Sequence, residues 1–224
     1  MTETWREGSA PGRYRAILFD LDGTLLDSAD LIVAAFQETC RIHLRREIDR
    51  ATILAGWAQP IRRRFHAIAP ERDEELALDY LERYLALHDR LARLFPGVAE
   101  VLEALSGRGY ALGIVTSKRR ATTRAAIGAF HLDRWFHTIV ADEDVARHKP
   151  DPEPVRTAAD RLGVAPHAAL MVGDTSLDIA AGRQAGAGTA VALWDPAISS
   201  QVLTEEPDHR LRWPADLLVL CPPR

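Results

Sequence analysis

At 224 residues, 47% hydrophobic and 27% charged, the chain can bury a sizeable core and can form one domain or a domain carrying a smaller inserted one. Its formal net charge of -4 provides no general basic surface, which argues against nucleic acid or an anionic membrane as the main partner and leaves a small soluble molecule. Cys40 and Cys221 lie far apart without a metal-ligand spacing, as expected of ordinary buried thiols in a reducing compartment.

The opening Met1 to Glu7 lacks the basic start and apolar stretch of a signal peptide, and no later segment is apolar for long enough to span a bilayer, so a cytoplasmic protein is expected. Basic side chains are overwhelmingly Arg; Lys occurs only at 118 and 149. After a polar tail with Pro11-Gly12, Arg15 to Phe19 reads as a short apolar strand that stops at Asp20 and turns through Gly23. From Ser28 to Leu94 the periodicity becomes helical, with Leu31-Ile32, Ala35-Phe36 and Thr39 on one face and Leu76, Tyr80, Leu81, Tyr84, Leu85 and Leu87 on another. Pro96-Gly97 closes that block, and Val98 to Leu105 reads as a helix.

Strands and helices then alternate. Tyr110 to Val115, Thr138 to Ala141, Ala169 to Val172 and Thr189 to Leu193 read as strands, with helices near Ala121 to Gly128, Pro154 to Leu162 and Leu177 to Ala185 and a short one near Ala215 to Leu220. Such alternation predicts an α/β fold, a parallel sheet covered by helices, with its ligand crevice at the carboxyl ends of the strands. The expected organisation is a core of residues 13–24 and 95–224, interrupted by a helical insertion at 25–94 that leaves and returns beside the first carboxylates. That position suits a lid that excludes water from a site.

This topology gathers Asp20, Asp22, Thr116, Lys149, Asp174 and Asp178 at one edge of the sheet. An Asp-x-Asp alone says little, because Asp residues commonly cap or bond locally after strands. The four stretches taken in order say more. Phe19-Asp20-Leu21-Asp22-Gly23-Thr24-Leu25-Leu26-Asp27-Ser28, Val115-Thr116-Ser117-Lys118, Lys149-Pro150 and Gly173-Asp174-Thr175-Ser176-Leu177-Asp178 resemble the successive motifs of the haloacid dehalogenase superfamily, in its phosphoglycolate phosphatase-like branch with an α-helical cap. The resemblance covers nearly the whole chain and implies a Rossmann-like core, Mg²⁺ as cofactor and a covalent aspartyl-phosphate route.

Carried over residue by residue, the resemblance implies Asp20 as nucleophile, Asp22 as general acid and then general base, and Thr116 and Lys149 as groups that bind and neutralise the phosphoryl oxygens. It implies Mg²⁺ ligation by the Asp20 carboxylate, the Asp22 backbone carbonyl and Asp174, with Asp178 binding directly or through water. Ser117, Trp57, Gln59 and Arg62 are the residues expected to contact substrate. Lys118 reads as a surface charge at a helix start, and His148 is given no role. Three consecutive residues spread over more than half a helix circumference, so at most one or two of Arg62, Arg63 and Arg64 can face one ligand.

The expected reaction is hydrolysis of a small phosphomonoester such as phosphoglycolate, with hydrolysis of inorganic pyrophosphate as an alternative. A β-phosphoglucomutase-like phosphotransfer is a further alternative, separable by product analysis. Residues 25–94 contain no Lys for a Schiff base, which disfavours phosphonate cleavage. A non-enzymatic binding protein would show eroded motifs, and these are intact. A monomer or homodimer is expected.

Overall fold

The computed structural model describes residues 13–57, 59–196 and 204–223. Strand β1 (Ala16–Phe19) lies at the centre of a six-stranded sheet and runs into the loop that carries Asp20 and Asp22. After β1 the chain enters a two-residue strand β2 (Leu26–Asp27) and the helices α1 (Ala29–Leu44), α2 (Arg50–Ala55), α3 (Ile61–Ile68) and α4 (Asp73–Leu91). It returns through β3 (Arg93–Leu94), which pairs antiparallel with β2, so the outgoing and incoming chains are held together.

The remainder alternates: α5 (Val98–Gly107), β4 (Ala111–Val115), α6 (Arg120–Ala129), β5 (Thr138–Val140), α7 (Glu153–Arg161), β6 (Ala169–Gly173), α8 (Ser176–Ala185), β7 (Gly188–Ala192), β8 (His209–Leu211) and α9 (Leu217–Leu220). The sheet order is β5-β4-β1-β6-β7-β8 and every pairing in it is parallel. This is the α/β, Rossmann-like arrangement anticipated from the alternation. The strand β8 and the β2–β3 pair were not anticipated. Among the described residues no helix is long and apolar enough to cross a membrane.

The period-two pleat of β1 explains its unbroken apolar sequence. Ile17 and Phe19 point into a cluster with Val98, Leu102 and Ile127 from α5 and α6. Ala16 and Leu18 point the other way, onto Val155, Ala158 and Ala181 from α7 and α8. With both faces covered, the polar residues that follow the strands are left at the sheet's carboxyl edge.

A third apolar cluster lies among α1 to α4, where Phe36, Ile53, Phe65, Leu76, Tyr80 and Tyr84 are buried. Phe36 and Phe65 stack with centroids 4.7 Å apart and planes within 4°. The helical insertion thus has its own core, one helix layer packed on another.

Candidate active site

Asp20 follows β1, and its backbone N–H donates to the Val172 carbonyl at 2.8 Å, which aligns it with the end of β6. Asp174 follows β6, and Asp178 is in the first turn of α8. A carboxylate oxygen from each of Asp20, Asp174 and Asp178 lies within 4.8 Å of the others, and all three residues are buried. Two glycines permit this approach. Gly23 has φ +78°, and a Cβ there would lie 2.4 Å from Asp174 Oδ2; a Cβ on Gly173 would lie 2.3 Å from Asp178 Cγ.

Lys149 is buried against this group. Its Nζ donates to Asp178 Oδ1 at 2.5 Å and to the Val115 carbonyl at 3.2 Å, and it lies 3.1 Å from Asp20 Oδ1. Burial pulls the lysine pKa down, but the Asp178 and Asp20 carboxylates outweigh it and hold the ammonium charged. The other oxygen of Asp178, Oδ2, accepts the Thr175 hydroxyl at 2.6 Å and the Thr175 N–H at 3.1 Å, which caps α8. Asp178 is therefore committed on both oxygens. Asp174 accepts Thr24 Oγ1 on Oδ1 and Trp57 Nε1 on Oδ2, each at 3.0 Å.

The cluster fits a hard divalent cation. Burial first, then Asp178, Asp20 and their charges, push the Asp174 pKa well above the usual carboxylate range. Asp20 is pushed up to about 7, by burial first, with Lys149 pulling back and Asp178 and Asp22 adding to the rise. Asp20 Oδ1 is buried and accepts no well-aligned hydrogen bond. Crowded buried carboxylates that resist ionisation are relieved by a cation with oxygen ligands.

Asp22 faces the cleft above. Its Oδ1 accepts Ser28 Oγ and its Oδ2 accepts Lys118 Nζ, both at 2.5 Å. Lys118 is not the surface charge expected from sequence: its side chain is only 8% exposed and its ammonium lies 4.3 Å over the ring of Tyr84 from α4. Thr116, at the end of β4, accepts the Lys118 N–H at 3.2 Å. Asp20, Asp22, Thr116, Ser117, Lys149, Trp57 and Gln59 line one cleft whose empty volume, open mouth included, is about 690 Å³.

Arg62 does not join them. Expected from sequence to contact substrate, its side chain is 60% exposed, pairs with Asp73 and Glu74, each at 3.3 Å, and is not among the residues lining the cleft. Arg64 lines the cleft instead. The signal was present: Ile61, Arg64, Phe65 and Ile68 share one helical stripe, and Phe65 is fully buried. His148 is paired with Asp142, Nδ1 to Oδ1 at 3.3 Å, outside the cleft lining.

This geometry coincides with a known family. Residues 17–192 match the haloacid dehalogenase-like hydrolases. The chain is 38% identical over 206 residues to the pyrophosphatase PpaX of Bacillus velezensis, covering 92% of this chain and 95% of that one. It is 37% identical to PpaX of Halalkalibacterium halodurans, covering 90% and 94%. Among solved structures, CbbY from Rhodobacter sphaeroides, in complex with phosphate, matches with TM-score 0.83 and 26% identity over 91% of this chain and 96% of that one. A candidate phosphoglycolate phosphatase from Lactobacillus plantarum matches with TM-score 0.81 and 26% identity over 92% and 99%. With the motif-bearing strand ends converging on one cluster and the match running through most of its length, the chain belongs to the haloacid dehalogenase-like hydrolases.

Proposed function

We propose that the chain is a Mg²⁺-dependent phosphatase that hydrolyses a small phosphorylated compound through a phosphoryl group carried on Asp20. The observation that carries this reading is the buried grouping of Asp20, Asp174 and Asp178 with Lys149 beside it, at the floor of a cleft. The PpaX relatives make inorganic pyrophosphate the first substrate to test, with phosphoglycolate-like esters next.

Asp20 and Asp174, with the Asp22 backbone carbonyl, are the groups assigned to hold Mg²⁺; Asp178, committed to Lys149 and Thr175, acts through the residues it positions or through water. Bound there, Mg²⁺ supplies positive charge that lets an anionic carboxylate approach an anionic phosphoryl group. An oxygen of Asp20 attacks phosphorus as the bond to the leaving-group oxygen breaks, and Asp22 delivers a proton to that oxygen. Asp22 then takes a proton from water, whose oxygen attacks the same phosphorus. Phosphate departs and the Asp20 carboxylate returns.

Lys149 and Thr116 are preorganised donors toward the phosphoryl oxygens, while Lys118 and Ser28 fix the orientation of Asp22. The insertion contributes Trp57, Gln59 and Arg64 to the cleft, which limits the access of bulk water to it. The test is phosphate release by the purified protein from pyrophosphate, phosphoglycolate and a panel of sugar phosphates, with Mg²⁺ and with chelator. Release that requires Mg²⁺ is expected. Full release in the presence of excess chelator, or none from any compound, would sink the reading.

A further inference from the structure

The cations lining the cleft differ in how they are neutralised. Lys149 is held by Asp178 and Asp20, Lys118 by Asp22, and Arg119 by Glu74 and Glu143. Arg64 is different. Its partly buried guanidinium lies 4.6 Å over the ring of Phe36, and one terminal nitrogen donates to the Ile53 carbonyl at 2.7 Å. Its Nε lies beside the backbone of Gly56, where an added Cβ would be 3.1 Å away. The groups that favour its charge are Tyr80 and Cys40, a phenol and a thiol both held neutral by burial, and among the described residues no carboxylate pairs with it.

Keeping a charge in such surroundings without a counter-ion is costly, and guanidinium does not shed its proton. Its planar fork matches the two oxygens of a phosphate or carboxylate. Arg64 comes from α3 of the insertion, while Asp20 comes from β1 of the core, and both line the same cleft. A substrate presenting a phosphoryl group to Asp20 therefore has its remaining part toward the insertion.

We propose that Arg64 is the specificity-determining receptor for a second anionic group on the leaving part of the substrate. The substrate class is then a small phosphorylated compound with a second phosphate or carboxylate, in preference to esters of neutral alcohols. This rests on the phosphatase reading above and adds the residue that selects the leaving group. A shared anion chemistry is enough for recognition; the phosphate and carboxylate sources are separated by the assay.

The test compares wild type, Arg64→Met, Arg64→Lys and the control Arg62→Met on inorganic pyrophosphate, phosphoglycolate and p-nitrophenyl phosphate. Methionine keeps apolar packing on Phe36 while removing the charge. Losing a charged hydrogen-bonding partner should lower the ratio of kcat/KM for the doubly anionic substrates to that for p-nitrophenyl phosphate by roughly tenfold to hundredfold, mostly through KM. Arg64→Lys should restore part of the ratio and Arg62→Met should keep it. The doubly anionic substrate with the larger fall identifies the second anion. Equal losses on all three substrates would make Arg64 a packing residue and overturn the proposal. Calorimetry of pyrophosphate and phosphoglycolate binding to Asp20→Asn, with and without Arg64→Met, is independent of turnover: unchanged affinity for both overturns the proposal. The phosphatase reading fails separately, if the folded wild type releases phosphate from none of the three.

Discussion

On Asp20, burial and the Asp178 and Asp22 charges raise the pKa while Lys149 lowers it, leaving a value of about 7. Each neighbour is itself engaged, so a single change here propagates. Gly173→Ala would put a Cβ 2.3 Å from Asp178 Cγ. The cap on α8 and the hold on Lys149 must then give way, and denaturant unfolding should show a loss of about 1–3 kcal/mol. Lys118→Met removes the partner of the largely buried Asp22 carboxylate, and both stability and turnover should fall. Wild-type stability and turnover in that variant would return Lys118 to a surface role. From sequence, Asp20, Asp22, Thr116 and Asp174 could be placed where apolar strands end and Asp178 at the start of a helix, whereas Lys149, in the loop between β5 and α7, stood out only through the Lys149-Pro150 motif and the rarity of Lys. Lys118 was not, because its burial depends on Asp22 and on Tyr84 from α4, contacts that span long stretches of chain and leave no local pattern.

Between elements, one contact that ties the insertion to the core is the indole of Trp57, just past α2, donating to Asp174 Oδ2. A cation drawn to Asp174 acts on the same oxygens, so Mg²⁺ addition should alter tryptophan fluorescence in wild type, and Trp57→Phe should lose that component. An identical change in the variant would mean that the signal arises from other tryptophans. Most strands and helices of the core were readable from apolar runs and turn residues. The three-residue β8 was not, because His209-Arg210-Leu211 carries only one buried residue and gains its strand geometry by pairing with β7. For α3, the apolar stripe of Ile61, Phe65 and Ile68 places Arg64 rather than Arg62 on the side that lines the cleft, which counting charges without that stripe does not show.

Across the whole molecule, the carboxylate cluster is expected to link stability to pH and, on the proposed reading, to metal. Asp20 moves from 3.8 to about 7, and Asp174 is also raised. A raised folded pKa means the native state holds the proton more tightly, so this stabilisation is present below about pH 4 and is lost as pH climbs toward 7. In chelator, the melting temperature should therefore carry a falling contribution across that window, and Asp20→Asn should flatten it. Since cation and proton compete for the same oxygens, Mg²⁺ should raise the melting temperature more at pH 8 than at pH 5. A pH-independent Mg²⁺ effect would place the cation elsewhere. The central claim is the phosphoryl group on Asp20, tested by acid-quenching the enzyme during turnover of radiolabelled substrate with Mg²⁺ and mapping the label by peptide mass. A hydroxylamine-labile phosphoryl group is expected on the peptide containing Asp20, with neither label nor turnover in Asp20→Asn. Turnover retained in Asp20→Asn, or label on another residue, would contradict it.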